Sequence, residues 1–270
     1  MGENVKKIQE ALLTMFQDVL DIMKDNNLEY FISAGTALGA ARHGGFIPWD
    51  DDLDIEMPRE DMVKLKSIIN VKYSYKYFYQ DTESDPEYPI PFDKIRLNDT
   101  IFMEQGMEKY NIHHGLFIDI FPIDNAPNNK TLNKISNFNR FRHEVLLRDI
   151  RSSNWIKNII YSMIKGKYSK RTIILNKLNK DIIKYNESPT KYISTYYLTA
   201  NAKASRLPRH YYYPPREIIF CGLCVTTYNE LNKVLEVIYG NYMELPPLSE
   251  QKGSHAKYVD LEKGISYNEK

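Results

Sequence analysis

Cysteine is nearly absent from this chain. There are two among 270 residues, Cys221 and Cys224, too few for a disulfide scaffold and in keeping with a reducing compartment. Nowhere does the sequence approach the roughly 18 uninterrupted apolar residues of a membrane span. The opening MGENVKKIQEALLTMFQDVL carries charges throughout and does not read as a secretory leader. Its Met-Gly start lacks the Ser or Thr that completes a myristoylation signal. Net charge is scarce too, since 36 Lys and Arg against 35 Asp and Glu leave +1. That balance argues against a nucleic-acid partner, which usually calls for a strongly basic domain. No internal repeat is visible. The expectation from these absences is a cytoplasmic protein, and a 43% hydrophobic composition gives ample material for a packed core.

The neutrality is a cancellation. Residues 50–61 hold seven acids and one base, whereas residues 151–171 hold six bases and no acid. In the basic segment, Trp155, Ile159, Ile160, Met163 and Ile164 form an apolar stripe opposed by Lys157 and Lys165. Two readings stay open for it. It is either a helix resting on an anionic membrane surface, at the inner face of the cell membrane, or a core helix with a solvated basic face.

Hydrophobic spacing organises the rest. Val5, Ile8, Leu12, Leu13, Phe16, Val19, Leu20 and Met23 predict an amphipathic helix ended by Asn26-Asn27. Residues 28–33 suit a strand and 37–42 a short helix, broken by His43-Gly44-Gly45. Leu53 and Ile55 alternate with Asp52 and Asp54, the pattern of a strand with one apolar and one acidic face. Residues 59–69 are helical in spacing, 73–79 and 91–97 look extended, and GLFIDIF at 115–121 is the clearest buried strand. Beyond residue 130 long helical patterns dominate. The expected fold is therefore α+β: a core over 1–127 with β-strands flanked by helices, and a mainly helical region over 128–270 packing on it.

The acidic strand is the feature least compatible with scaffolding alone. On a strand, Asp52 and Asp54 project from one face, and two such charges raise each other's pKa unless something neutralises them. A divalent cation removes the conflict, because Mg²⁺ accepts hard oxygen ligands and commonly also binds substrate phosphates. Gly35-Thr36, entering a helix, can bring backbone N–H groups close to phosphate oxygens. Asp119, alone in its apolar strand, is the natural third carboxylate, as a ligand or as base for an incoming hydroxyl. The bland alternative is a solvated acidic loop.

A Gly-Thr turn, a strand with Asp-x-Asp and a separate strand with one Asp make the nucleotidyltransferase arrangement. The fuller string GTALGAARHGGFIPWDDDLDIEMPRED (35–61) resembles the LicD family. The likeness continues in FDKIRLNDT (92–100), HHGLFIDIFPID (113–124) and YGNYMELPP (239–247). Asp52 and Asp54 match that family's metal-binding pair and Asp119 its third carboxylate. The resemblance implies that residues 1–127 form a nucleotidyltransferase-like catalytic core, a mixed β-sheet flanked by helices, that moves a phospho-alcohol from a CDP-linked donor to a hydroxyl of a surface glycan or lipid-linked glycan, releasing CMP. Phosphocholine from CDP-choline, passed to teichoic acid or lipopolysaccharide, is the first expectation; the fukutin-related branch handles ribitol phosphate instead. Mg²⁺, with Mn²⁺ as its substitute, is the implied cofactor.

Further candidates surround this set. Arg42 and His43 would reach donor phosphates or cap their helix; Lys94 and Arg96 would clamp anions or line a solvated strand face. Trp49 would stack a base or support the acidic turn. His114 precedes the Asp119 strand, and His255 is a weaker candidate. Asp50 would stand behind the ligands, with Asp51 structural. The lone Cys221-Gly222-Leu223-Cys224 reads as a hairpin turn, since a structural zinc needs two more ligands. Three rival functions remain, of which a nucleic-acid-directed nucleotidyltransferase is disfavoured by the balanced charge. In an EF-hand register Ile55 falls where Gly is required, which calcium titration would test; a metal-dependent glycosyltransferase would release a nucleoside diphosphate instead of CMP.

Overall fold

The computed structural model describes residues 2–147, 171–195, 206–251 and 256–262. The expected membrane-contact segment 151–171, apart from the backbone of Arg171, and His255 lie outside them. Among the described residues no helix is long and apolar enough to cross a membrane.

Helix α1 (Gly2–Asp25) follows the predicted stripe. It buries Ile8, Leu12, Phe16, Val19 and Met23, with Met15 and Ile22 widening the face. Fully covering each such side chain is worth about 1.5–3 kcal/mol. The chain leaves the helix through Asn27 at φ 52°, a left-handed turn that asparagine tolerates well. Strand β1 (Phe31–Ile32) is much shorter than the extended segment expected there. Helix α2 (Ala34–His43) begins before the predicted small-residue run, so Gly35 and Thr36 form its first turn rather than a loop ahead of it. Its C-terminus is closed by Gly44 at φ 68°, a conformation open to glycine at little cost.

The central sheet joins β1, β2 (Asp54–Pro58), β6 (Phe117–Ala126), β4 (Asp93–Leu97) and β3 (Tyr77–Gln80) in that order. The β2–β6 pair is parallel, with α3 (Arg59–Ile68) leaving the end of β2; the other pairings are antiparallel. Strand β5 (Ile101–Glu104) stands apart and pairs with β11 (Ala256–Asp260).

Two expectations are corrected here. The first concerns β2, which starts at Asp54, leaves Asp52 in the approach to it, and has no solvated acidic face: Asp54, Ile55, Glu56 and Met57 are all buried. Tyr212 from the C-terminal half donates to Glu56 at 3.0 Å. Burial drives the Glu56 carboxyl up to about 7, against bonds from Tyr212, Tyr228 and Thr195. The second concerns the region beyond residue 128. It supplies helices α4 (Lys130–Leu147), α5 (Arg171–Ile183) and α6 (Leu231–Tyr239), but strands too. Of these, β7 (Tyr192–Thr195) pairs with the far half of β6 and carries β8 (Leu207–Pro208). A hairpin of β9 (Arg216–Phe220) and β10 (Leu223–Thr227) turns at Cys221-Gly222 as the sequence suggests. Its tip docks on the loop after α2, where the Cys221 N–H donates to Gly44 O at 2.8 Å.

Asp124 ties these parts together. Arg59 binds it through Nε (2.6 Å) and Nη2 (2.9 Å), Arg140 lies at 3.0 Å, and Asn186 donates at 2.6 Å. On the reverse side of β4, Asp93 accepts the Tyr79 hydroxyl at 2.8 Å. Burial and the Asp81 charge push Asp93 up to about 7, although Tyr79, Arg59 and Lys66 oppose the rise. A carboxyl raised on folding favours the fold while protonated, and that contribution is lost as pH climbs from its unfolded value toward 7. Asp93→Asn is therefore expected to raise the melting temperature at about pH 8 and to leave it near the parent's at about pH 4, in paired thermal melts.

Candidate active site

Strand register builds the site. Asp54 on β2 sits directly across from Asp119 on β6, and Lys94 on β4 faces Asp119 from the other side. With strands about 4.8 Å apart, the three charged side chains form a row on one sheet face. Lys94 Nζ lies 2.6 Å from Asp119 Oδ1, 3.1 Å from Glu104 Oε1 and 3.3 Å from the centroid of the Phe117 ring. At 1% exposure, this ammonium serves as an internal counter-ion.

Helix α2 closes on the same place. Thr36 Oγ1 accepts the Asp54 backbone N–H at 2.8 Å, and the Ser33 N–H donates to Asp54 O at 3.0 Å. The partial positive charge of a helix N-terminus thus meets a carboxylate cluster. Gly35 makes the approach possible, because a Cβ there would stand 2.8 Å from Asp50 Oδ2 and 3.8 Å from Asp54 Oδ2. Gly35→Ala should raise helix propensity by up to about 1 kcal/mol yet slow turnover about tenfold or more, by displacing the Asp50 carboxylate from beside Asp54. Parallel melts and rate measurements test this; unchanged turnover would remove Asp50 and the α2 entry from the site.

The electrostatics show what the row demands. Burial pushes Asp54 well above the ordinary carboxylate range, and Asp52, Asp119 and Asp50 push the same way against Lys94. Asp119 rises to about 6 through burial, with Glu104 and Asp52 adding to the rise and Lys94 opposing it. Burial acts on Glu104 as well, but Lys94 and Arg96 outweigh it and hold that carboxyl at about 2. Clustered, desolvated carboxyls of this kind take up protons or a cation. Among the described residues, no three acidic, His or Cys groups already close into a coordination shell, and Asp119 meets Lys94 instead. The donor chemistry nevertheless suits a hard divalent cation: several carboxylates raise one another's pKa beside a helix N-terminus that Gly35 leaves uncluttered.

The remaining sequence candidates separate into groups. Arg96 does not lie on a solvated face. It is fully buried and donates to Gln80 Oε1 (2.7 Å), Gly115 O (2.8 Å) and Glu104 Oε2 (2.8 Å). Arg42 and His43 sit at the opposite end of α2 from Gly35, about 12 Å along the axis. Arg42 donates to Tyr242 O (2.9 Å) and to His43 Nε2 (3.0 Å), so it anchors the YGNYMELPP stretch. Trp49 packs against the core, edge-on to His43 at 6.4 Å. The His114 ring meets Tyr110 O at 3.2 Å. Asp51 is buried.

Sequence reasoning missed Glu104, Gln80 and Tyr88. Tyr88 is buried, its hydroxyl has no hydrogen bond among the described residues, and burial and then Asp119 raise its pKa. Glu104 lies on β5, outside the central sheet, so no strand periodicity could have placed it beside Lys94.

With this geometry in place, the comparisons become informative. Residues 27–150 match the family described as LicD/FKTN/FKRP, nucleotidyltransferase domain. The lipopolysaccharide cholinephosphotransferase LicD of Haemophilus influenzae is 26% identical over 237 residues, 84% of this chain and 87% of that protein. Ribitol 5-phosphate transferase FKRP of human and of mouse is 41% identical over 52 residues, 19% of this chain and 10% of theirs. All the row-forming residues, Asp54, Asp119 and Lys94, fall inside the matched segment, and the chain carries a LicD-family domain over residues 27–150.

Proposed function

We propose that this protein is a metal-dependent transferase that moves a phospho-alcohol from a CDP-linked donor to a hydroxyl of a cell-surface glycan, releasing CMP. Phosphocholine is the first candidate for the transferred group, and teichoic acid or lipopolysaccharide for the acceptor. The nucleotidyltransferase-like reading of the fold belongs to the same proposal. The observation that carries it is the row of Asp54, Asp119 and Lys94 across three strands, with Asp52, Asp50 and the start of α2 at its edge. The LicD and FKRP likenesses support the reaction type, since those relatives are named for cholinephosphate and ribitol phosphate transfer.

Asp52 and Asp54 would hold the cation, with Asp119 as third ligand. A bound Mg²⁺ or Mn²⁺ would supply Lewis-acid neutralisation of a diphosphate. Asp119 is also the group to orient the acceptor hydroxyl and take its proton as the phosphorus bearing the alcohol is attacked. Lys94 has Glu104 as a second carboxylate, so it can release Asp119 without becoming an unpaired buried charge. Thr36 fixes the backbone of Asp54 throughout, and positioning of this sort supplies much of the rate in phosphoryl transfer.

The test is incubation with Mg²⁺ and CDP-choline, CDP-ribitol, CDP-glycerol, CDP-ethanolamine or UDP-sugars, with mass-spectrometric detection of nucleotide products. Metal-dependent CMP from a CDP-alcohol is expected. UDP released from a UDP-sugar, with no CMP from any CDP-alcohol, would hand the site to glycosyl transfer.

A further inference from the structure

Two adjoining cavities lie at the other end of the central strands from the acid row. One, of about 600 Å³, is lined by Lys191, Tyr192, Pro208, Arg209, His210 and Tyr213. The other, of about 200 Å³, reaches Pro58, Arg59, Ile123 and Asn186 and shares Arg209 and Tyr213 with the first. Together they form one groove. Pro58 and Ile123 face each other across the β2–β6 pair four residues beyond Asp54 and Asp119, which places the groove about 13 Å along the strands from the acids.

We infer that this groove binds a phosphate-bearing glycan chain, the acceptor of the transferase proposed above. Its cations are built in rather than incidental. The Arg209 Nε donates to Thr190 O at 2.7 Å and its Nη2 binds Asn125 Oδ1, which fixes the guanidinium plane; the same guanidinium lies 5.4 Å from the Tyr213 ring. Arg59 is fixed in the same way by its two bonds to Asp124. Lys191 lies exposed at the mouth, and Arg206 stacks 3.5 Å over the ring of Tyr192. Oriented guanidinium groups suit phosphodiester oxygens, and the rings of Tyr192 and Tyr213 with Pro208 give apolar faces for sugar C–H edges. Glu29, Glu60, Asp61 and Asp124 are the nearby acids, and Asp124 is already paired with Arg59 and Arg140. Glu29 is bonded by the Tyr213 hydroxyl and Glu60 lines the smaller cavity, which leaves the larger one, over its own lining, with cations and no acid. A nucleotide donor is a poorer occupant, because its diphosphate belongs at the carboxylate row on the reading above. That separation gives a transferase with two anionic substrates one place for each.

This inference rests on the transferase reading for the word acceptor, but its test does not. Calorimetric titration of the full chain, without donor or metal, with a short glycerol phosphate oligomer should show binding. A neutral glycan of equal length should bind at least about tenfold more weakly, and raised salt should weaken the oligomer's binding. Lys191→Glu, which alters an exposed side chain, should reduce the oligomer's affinity about tenfold, and Arg209→Lys should reduce it while keeping the charge. Equal affinity for the neutral glycan, unchanged binding in Lys191→Glu, or displacement of the oligomer by CMP or CDP-choline would each overturn the assignment. Failure of CMP release in the donor panel would instead strike the transferase reading and leave a measured phosphate–glycan site standing.

Discussion

Asp54→Asn should lower CMP release by about a hundredfold to a thousandfold or more, the scale of losing one preorganised electrostatic contact, and should raise rather than lower the melting temperature at about pH 8. The two halves of that result come from the same fact. Asp54 is buried, and its charge is opposed by Asp52, Asp119 and Asp50. Its folded pKa lies above the unfolded one, so its contribution to stability declines as pH rises. Asparagine keeps the shape and leaves the backbone bond to Thr36 intact, while removing a charge the fold holds at a cost. A residue kept for scaffolding would behave the other way, with stability falling and rate following it. Turnover near the parent's, measured on protein whose melt confirms folding, would sink the cation-holding role of Asp54 and the reaction built on it.

How much of this was legible beforehand can be argued from particular residues. The stripe on α1 and the hairpin at Gly222 follow from local rules, spacing and turn chemistry, and both stand in the structure. Asp119 was readable because it alone interrupts an apolar run, where an acid needs a counter-charge, and Asp54 because it belongs to an Asp-x-Asp pair on one strand face. What periodicity cannot carry is the covering of a second sheet face. Leu53 and Ile55 alternating with Asp52 and Asp54 looked like a half-exposed strand, yet β2 lies between β1 and β6 and is capped by Tyr212, about 150 residues later in the chain. Arg96 shows the same limit. Alternation with Lys94 placed both on one face, but the partners that make that face an interior, Gln80, Gly115 and Glu104, come from separate elements. Strands β7 and β8 were hidden because they are only four and two residues long, too short for an alternating pattern to rise above the helical segments around them.

Lys94→Met is expected to destabilise the protein by about 3–5 kcal/mol, the usual cost of stripping one partner from a buried ion pair, which for a chain of this size lowers the melting temperature by roughly 10 °C. Methionine fills most of the volume and keeps the contact with Phe117, so packing alone predicts a much smaller change. The loss arises because Asp119 and Glu104 are left facing each other, with Arg96 paired to the Glu104 carboxylate and not to that of Asp119. A cation from solution can then take the place the ammonium has vacated. Adding Mg²⁺ or Mn²⁺ should therefore restore part of the lost stability in Lys94→Met and shift the parent's melt much less, because in the parent the metal has to displace Lys94 from Asp119. The same variant reports on the direction of the exchange: if Lys94 guards the site, the metal's half-saturation concentration falls as the intrinsic stability falls. Equal metal-induced shifts in the two proteins would mean that Lys94 and the cation do not compete for Asp119, and Lys94 would then be a fixed structural charge with no part in opening the site.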